Sequence, residues 1–517
     1  MGYRIGIDVG GTNTDAVLLD ESMNILSKYK APTSKDVMSG IYASVAYILD
    51  QSGVDKSKVT HAMLGTTHCT NAIVERKNLN RVGVIRIGSP ATTTVPPLFD
   101  WPADLLDVIG RKHHIVSGGY EYNGEQIVPV NEKEVQNVVN QIKNDVDAIA
   151  VVGVYSPSRH EQELKVQKII RQIAPELRVS LSYEIGSIGL LERENATVLN
   201  AALTTVIRTV VQGFKEALLA NGLDPTIFFG QNDGTLISTY YALAYPIFTI
   251  GCGPTNSIRG AVYLSGLERA MILDIGGTTT DIGVVKNGFP RESSVAVEIG
   301  GVRTNFRMPD ILSLGIGGGT IIKEEKTEFK IGPDSVGHEL TLKGKIFGGK
   351  VLTATDVAVG AGIANIDQPN KEILDKSVSE QAHKQITQLI EDGIDRMKTN
   401  ANQIPVVLSG GGSILIPESL EGAAHVVKPD HYEVANAIGA AIGDISGETE
   451  KVYSLDERSY DDVIEEAKQL AIERAKKSGA NPDTIRIVSI EDIPLAYMPG
   501  NAIFVKVKAV GELSMVI

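Results

Sequence analysis

Short runs of apolar residues broken by glycine-rich turns alternate along the chain with stretches in which apolar positions recur every third or fourth residue. The runs predict buried strands, and the recurring spacing predicts helices that turn one face to a core. Residues 5–7 and 16–19 are expected to form one β-hairpin, and 271–273 with 282–285 a second. Helices are expected at about 36–51, where Val37, Ile41, Val45 and Ile48 share a face, and at 160–173, 257–264 and 461–477, with a helix-rich passage over 190–220. Strands at 82–87, 148–155 and 178–183 alternate with helical spacing, which predicts a parallel α/β subdomain. The connection 89–119 carries Thr92, Pro96, Trp101 and the pair His113-His114, and is expected as a long functional loop with its histidines solvated. Strands are also expected at 484–490 and 502–510.

The turns of the two hairpins carry the same phrase. Asp8-Val9-Gly10-Gly11-Thr12-Asn13-Thr14-Asp15 and Asp274-Ile275-Gly276-Gly277-Thr278-Thr279-Thr280-Asp281 share D-x-G-G-T-x-T-D. Adjacent glycines admit an anion close to the backbone, amide and hydroxyl donors point at its oxygens, and a leading Asp can hold Mg2+ through water. One such turn is an ordinary hairpin; a second in the same register predicts phosphate binding by two related half-domains facing one nucleotide. Further glycine turns follow at Gly317-Gly318-Gly319-Thr320 and at Gly410-Gly411-Gly412-Ser413, the latter expected to seat adenosine. The helix containing Ala435, Ile438, Gly439, Ala440 and Ala441 has a small-residue face suited to close helix contact at a hinge. Thr66, Thr67 and Asn71 follow a strand and suit either a cleft wall or helix capping. No third group in the sequence orients His68 and Cys69 as a catalytic dyad.

With 517 residues, 43% of them hydrophobic, the chain suffices for two to four globular domains. A net charge of −14 without a basic block argues against nucleic-acid binding, and two cysteines exclude a disulfide framework or cysteine-based zinc site. The most apolar stretch, 240–250, is too short for a membrane span and contains Pro246, so a cytoplasmic location is expected. The expected domains are 1–80 (first half), 81–190 (α/β subdomain), 191–450 (second half) and 451–517 (α+β tail).

The twin hairpins and the S-G-G-G-S loop resemble the actin, sugar kinase and heat-shock ATPase superfamily. A fuller series resembles its hydantoinase A/5-oxoprolinase family: Gly65-Thr66-Thr67 with Thr70-Asn71-Ala72, Glu194-Asn195-Ala196-Thr197-Val198-Leu199-Asn200-Ala201, Gly317-Gly318-Gly319-Thr320 and Thr355-Asp356. The resemblance, over roughly residues 3–445, implies an α/β fold of two actin-like, ribonuclease H-like half-domains around an ATP cleft, with an α/β insertion and a small C-terminal α+β tail. It implies ATP-dependent hydrolysis of a cyclic amide, such as a hydantoin or oxoproline-like lactam, through phosphorylation of the amide oxygen. On that basis Asp8 and Asp274 organise Mg2+; Thr12, Thr14, Thr278 and Thr280 hold phosphates; Gly410 to Ser413 seat adenosine; and Thr66, Thr67 and Asn71 face the substrate. An oligomer and a second, hydantoinase B-like subunit are the implied partners. Leu64 stands where that family has His, and Cys252-Gly253-Pro254-Thr255-Asn256-Ser257 replaces its S-G-P-A-G-G loop, which leaves the substrate open. A small-molecule kinase and an ATP-driven, carboxylase-like partner subunit are the alternatives.

Overall fold

The computed structural model describes residues 2–11, 13–33, 37–293, 297–305, 308–325, 328–366, 375–456, 458–496, 498 and 501–514. The chain opens with antiparallel strands β1 (Tyr3–Val9), β2 (Asn13–Leu19) and β3 (Ile25–Pro32), then helix α1 (Val37–Ser52) and strand β4 (Val59–Thr66), parallel to β1. Helix α2 (His68–Val74) leads into four parallel strands, β5 (Val82–Ser89), β6 (His113–Ser117), β7 (Ala148–Gly153) and β8 (Arg178–Leu181). Between them run α3 (Ala103–Ile109), α4 (Glu132–Ile142) and α5 (Glu161–Ile173). The 31-residue α6 (Leu190–Ala220) returns to the first sheet, which β9 (Thr226–Gly230) and β10 (Leu236–Ser238) extend.

Helices α7 (Thr239–Ala244) and α8 (Cys252–Ser265) precede the second hairpin, β11 (Ala270–Ile275) and β12 (Thr280–Lys286), with β13 (Phe289–Pro290) beside it. Next come the pair β14 (Val297–Ile299) and β15 (Val302–Thr304), then β16 (Ile311–Leu314) against β12, and the pair β17 (Thr320–Glu325) and β18 (Glu328–Ser335). Helices α9 (Leu340–Lys343), α10 (Ala354–Gly360) and α11 (Lys376–Met397) lead to β19 (Ile404–Ser409) and β20 (Ala423–Val427), parallel continuations of the second sheet. The end of the chain is α12 (Ala435–Ala441), β21 (Ile445–Ser454), α13 (Tyr460–Ser478), β22 (Arg486–Pro494) and β23 (Ala502–Gly511).

Two sheets repeat one core arrangement: an antiparallel hairpin whose first strand gains a parallel neighbour, β2-β1-β4 in one and β12-β11-β19 in the other. These strands are buried along nearly their whole length, as their uninterrupted Ile, Val and Leu runs require. Helix ends follow local chemistry: Asn131, Asp375 and Ser459 cap α4, α11 and α13, and Gly479 ends α13 in the left-handed region at φ 110°.

Sheet membership divides the chain differently from the boundaries expected at 190 and 450. The nine-stranded first sheet runs β22-β23-β21-β10-β9-β4-β1-β2-β3, so strands assigned to the second half and to the tail belong to it, and β21 crosses residue 450. The expected tail is α13 packed on strands that continue this sheet. Local patterning records that a strand is buried, not which sheet edge it meets after a crossover. The expected loop 89–119 also contains α3 and β6; these are short, which hides their periodicity.

The halves meet where α8, packed on β11 and β19, crosses α12, packed on β1 and β2. The small-residue face of α12 is used here: a Cβ on Gly439 would lie 1.8 Å from the carbonyl oxygen of Asn256, and one on Gly260 would lie 1.8 Å from that of Ala435. Backbone cannot yield as a side chain does, so we predict that Gly439→Ala costs about 1–3 kcal/mol of stability, read by urea denaturation. Unchanged stability would mean that the helices do not touch this closely.

Candidate functional site

The two hairpins match residue for residue in their pairing. Asp8 lies opposite Asp15 and Val9 opposite Thr14; Asp274 lies opposite Asp281 and Ile275 opposite Thr280. Each turn closes with the same bond, Gly10 N–H to Asn13 O at 3.0 Å and Gly276 N–H to Thr279 O at 2.8 Å. In both halves a glycine on or after the parallel neighbour makes room for the aspartate. A Cβ on Gly65 would fall 2.2 Å from Asp8 Oδ1, and one on Gly410 would fall 2.5 Å from Asp274 Oδ1.

The fold brings these carboxylates together. Asp8 senses the charges of Asp15 and Asp274, and Asp281 senses that of Asp274. Asp8 Oδ1 accepts from Asn256 Nδ2 on α8 at 3.1 Å, and Asp8 Oδ2 accepts from Asn436 Nδ2 on α12 at 3.0 Å. Asn436 Nδ2 also donates to Asp15 at 2.7 Å, and Lys30 Nζ donates to both Asp15 oxygens at 2.8 Å. Lys30 reaches across to the other half, where a Cβ on Gly411 would lie 3.7 Å from its Cε.

Burial raises all four carboxyls, with Asp8 and Asp281 each pushed up to about 6 and Asp15 and Asp274 shifted in the same direction. Desolvation is the largest cause, and neighbouring like charge adds to it at Asp8, Asp15 and Asp281. A carboxyl raised on folding binds its proton more tightly in the folded state, so stability falls as pH climbs from the unfolded value toward the folded one. For Asp8 the window is about pH 4 to 6, and the loss is on the order of 3 kcal/mol. The nucleotide-free protein is therefore expected to melt at a lower temperature at pH 6.5 than at pH 4.5 through this term, and Asp8→Asn to flatten the slope in paired melting scans.

Several expected ligand contacts are already committed within the protein. Thr14 Oγ1 pairs with Thr33 Oγ1 at 3.3 Å, and Thr280 Oγ1 donates to Ile316 O at 2.6 Å, so these two threonines brace the hairpin bases. Gly317 and Gly318 do not offer free amides. Gly317 N–H donates to Thr320 Oγ1 at 2.7 Å and Gly318 N–H to Gly276 O at 3.0 Å, and with Gly319 N–H on Gly277 O they buttress the second turn from behind. Ser413 is buried with its hydroxyl on Ser409 O, and Gly412 presses on Ile275; Gly411 is the exposed member of that loop, which continues as a 3-10 turn. The outward groups at the tips are Gly11, Asn13, Gly277, Thr278 and Thr279, all exposed or half-buried. Thr12 lies outside the described residues.

Of the expected substrate-facing residues, Thr66 is buried with its hydroxyl on His68 Nδ1 and its amide on Cys252 Sγ. It is part of the packing, because β4 ends inside the junction with α8. Thr67 Oγ1 donates to Val9 O at 3.4 Å at the base of the first hairpin, and exposed Asn71 donates to Thr67. Burial pushes the Cys69 thiol up to about 11 and lowers His68, which removes the thiolate a dyad needs. Asn256, Asn436 and Lys30 were not singled out by sequence reasoning. The two asparagines had a signal, as polar residues in small-residue helices; Lys30, in an alternating strand, had none.

Among the described residues no group of three or more His, Cys, Asp or Glu side chains is arranged to hold a metal ion by itself. Two buried carboxyls, Asp8 and Asp15, and two half-buried ones, Asp274 and Asp281, with Lys30 bonded to Asp15, nevertheless leave a deficit of positive charge, and amide-oriented oxygens at Asp8 suit a hydrated cation held jointly with phosphate oxygens. No helix among the described residues is long and apolar enough to cross a membrane.

Two half-domains with matching D-x-G-G-T-x-T-D hairpins at a shared junction define an α/β protein of actin-like architecture. The chain belongs to the hydantoinase/oxoprolinase family: the model of its N-terminal region matches residues 4–174, and its main model matches 193–409. It is 26% identical over 393 residues to the caprolactamase subunit alpha of Pseudomonas jessenii, covering 70% of this chain and 54% of that one. It is 26% identical over 405 residues to the acetophenone carboxylase gamma subunit of Aromatoleum aromaticum, covering 70% and 53%. The chain thus spans about half the length of these curated relatives. The solved ATP-dependent caprolactamase of Pseudomonas jessenii superposes with a TM-score of 0.78 at 19% identity, covering 99% of this chain and 88% of that one. Nucleotide-free acetone carboxylase gives 0.66 at 18%, with the same coverage.

Proposed function

We propose that this chain binds ATP with Mg2+ between its two hairpins and uses it to phosphorylate the oxygen of a cyclic amide, such as a lactam or hydantoin. The observation that carries the reading is the congruence of the two turns around one set of facing aspartates, Asp8, Asp15, Asp274 and Asp281. Backbone amides of Gly11 and Gly277 and the Thr278 hydroxyl hold phosphate oxygens, Gly411 lies against adenosine, and Lys30 steadies Asp15 while adding positive charge. Asp8 and Asp274 would hold Mg2+, which would supply the positive charge that the four carboxyls lack. The amide oxygen attacks the γ-phosphorus, the bond to the bridging oxygen breaks, and ADP leaves with that electron pair. Water then adds to the activated carbon, C–N cleavage expels the amine and leaves an acyl phosphate, and a second water hydrolyses that to the carboxylate and inorganic phosphate. Asn256 and Asn436 orient Asp8 throughout, because each fixes one of its oxygens.

Similarity to the caprolactamase subunit and to 5-oxoprolinase 1 of Arabidopsis thaliana, 24% identical over 386 residues, supports the amide class. A second reading, an ATP-driven subunit of a carboxylase-like assembly, is favoured by the likeness to the acetone and acetophenone carboxylases. Under both readings we propose a cytoplasmic oligomer, and under the second a hydantoinase B-like partner subunit. ATP turnover measured with hydantoin, 5-oxoproline, ε-caprolactam and hydroxylated small molecules separates the readings. Stimulation with a ring-opened product supports the amide reading, a stable phosphorylated product means a kinase, and stimulation only by a co-purifying protein means a partner subunit.

A further inference from the structure

A cavity of about 460 Å³ opens where β7, β8 and β9 end. Pro157, Ser158 and His160 follow β7, residues 183–187 follow β8, and Gln231 and Asn232 follow β9, while β21 and α13 supply the other side. In open α/β sheets, ligands sit outside the carboxyl ends of strands. The lining is strongly charged, and most of that charge is spent inside the protein. Asp233 pairs with Lys508 at 2.7 Å, Glu448 with Lys506 at 3.1 Å, Glu466 with Lys451 at 3.1 Å and Glu473 with Lys476 at 2.8 Å.

Two half-buried lining charges of opposite sign stand outside this pairing. Glu184 makes no ion pair among the described residues; it accepts from the Tyr183 hydroxyl at 3.1 Å and from that of Tyr245. Arg474 makes none either. Its Nη1 donates to Glu448 O at 2.6 Å, and its other N–H groups are unbonded among the described residues. The two groups do not pair with each other, and a half-buried charge without a counterion pays a desolvation cost that a complementary ligand offsets. Lys477, exposed one turn beyond Arg474 on α13, adds to the positive side. The surface these charges share is aromatic. Tyr183 and Tyr241 each sense both Glu184 and Arg474. Tyr241 and Phe248 are near parallel at 13° with centroids 6.2 Å apart, Tyr245 lies 4.5 Å from Tyr241, and His160 stacks on Tyr183 at 4.1 Å. An ammonium matches Glu184, a carboxylate fits the fork of Arg474, and aromatic faces take the methylenes that join them. A ligand with only one charge leaves the other wall without a counterion.

We propose that this cavity binds a short-chain amino acid with its charges at opposite ends, the ammonium on Glu184 and the carboxylate on Arg474. Binding of such a ligand requires neither ATP nor the amide chemistry above, so it is measured on the nucleotide-free full chain. Calorimetry and saturation-transfer NMR compare γ-aminobutyrate and ε-aminocaproate with caproate, which lacks the ammonium, and with hexylamine, which lacks the carboxylate. At least one of the amino acids is expected to bind about tenfold or more tightly than either control. Glu184→Gln keeps the shape and an acceptor for the tyrosine hydroxyls, and is expected to erase the preference over caproate. Arg474→Gln is expected to erase the preference over hexylamine. A merely structural role would weaken every ligand together and leave both preferences in place. Melting curves establish that each variant is folded. Should Arg474→Gln not be, Lys477→Glu at its exposed position replaces it, with weaker binding of the amino acid and no weakening for hexylamine as the expected result. Amino acids that bind no more tightly than the controls, or preferences that survive these substitutions, overturn the site; neither outcome touches the amide reading, which ATP turnover tests.

Discussion

Asp8→Asn and Asp274→Asn are each expected to lower ATP turnover by about 10²–10³-fold with little loss of folded protein. The size follows from removing one preorganised electrostatic element from a desolvated site. The structural tolerance follows from the surroundings: both aspartates are held at raised proton affinity chiefly by burial, so a neutral amide of the same shape avoids the desolvation of a charge. An amide at position 8 still meets two asparagine amides, and one of its contacts must rearrange, so Asp8→Asn should also weaken the junction of α8 and α12 more than Asp274→Asn does. Turnover rates with melting temperatures for both variants test the claim. Full activity in either would remove that carboxylate from the chemistry.

Arg86→Leu carries the largest expected effect on stability. Arg86 Nε and Nη2 meet both oxygens of Glu194 at 2.7 and 2.6 Å, and neither side chain is more than 1% exposed. Removing the guanidinium strands a carboxylate in the core, which costs about 3–5 kcal/mol. The double variant Arg86→Leu/Glu194→Leu should recover most of that loss, because two apolar groups leave no uncompensated charge. Urea denaturation of the single and double variants reads this directly, and equal loss in both would refute it. The pair also explains part of the E-N-A-T-V-L-N-A phrase. Glu194 anchors β5 of the inserted layer, Asn195 accepts from the Trp101 indole at 2.7 Å, and Asn200 binds Ser180, so the phrase clamps the insertion to α6.

The hairpins were legible because a turn writes its geometry locally: glycines, hydroxyls and an aspartate at fixed offsets between two apolar runs. The span of α6 was legible as a helix-rich passage over 190–220, and the structure makes it one unbroken helix. The sheet to which β9, β10 and β21 belong was not, because membership depends on partners more than a hundred residues away. The site divided in the same way. Asp8, Asp15, Asp274 and Asp281 could be named from the motif, whereas Thr14, Thr280, Gly317 and Gly318 look like ligand donors in sequence yet spend their groups on hairpin support. Which donor is left over is a property of the folded neighbourhood. Asn256 and Asn436 reach Asp8 only after two helices, separated by more than 150 residues, cross.

The first sheet takes strands from both ends of the chain, while the second, β11 to β20, is continuous within residues 270–427. During synthesis the later lobe can therefore reach its native pairing while the earlier one still waits for β21 and β23 to leave the ribosome. Until then the edge of β10 and the apolar face that α13 covers stand open on a nascent chain. A stalled-ribosome series should accordingly acquire protease resistance in the downstream lobe first, reversing the order in which the two lobes begin.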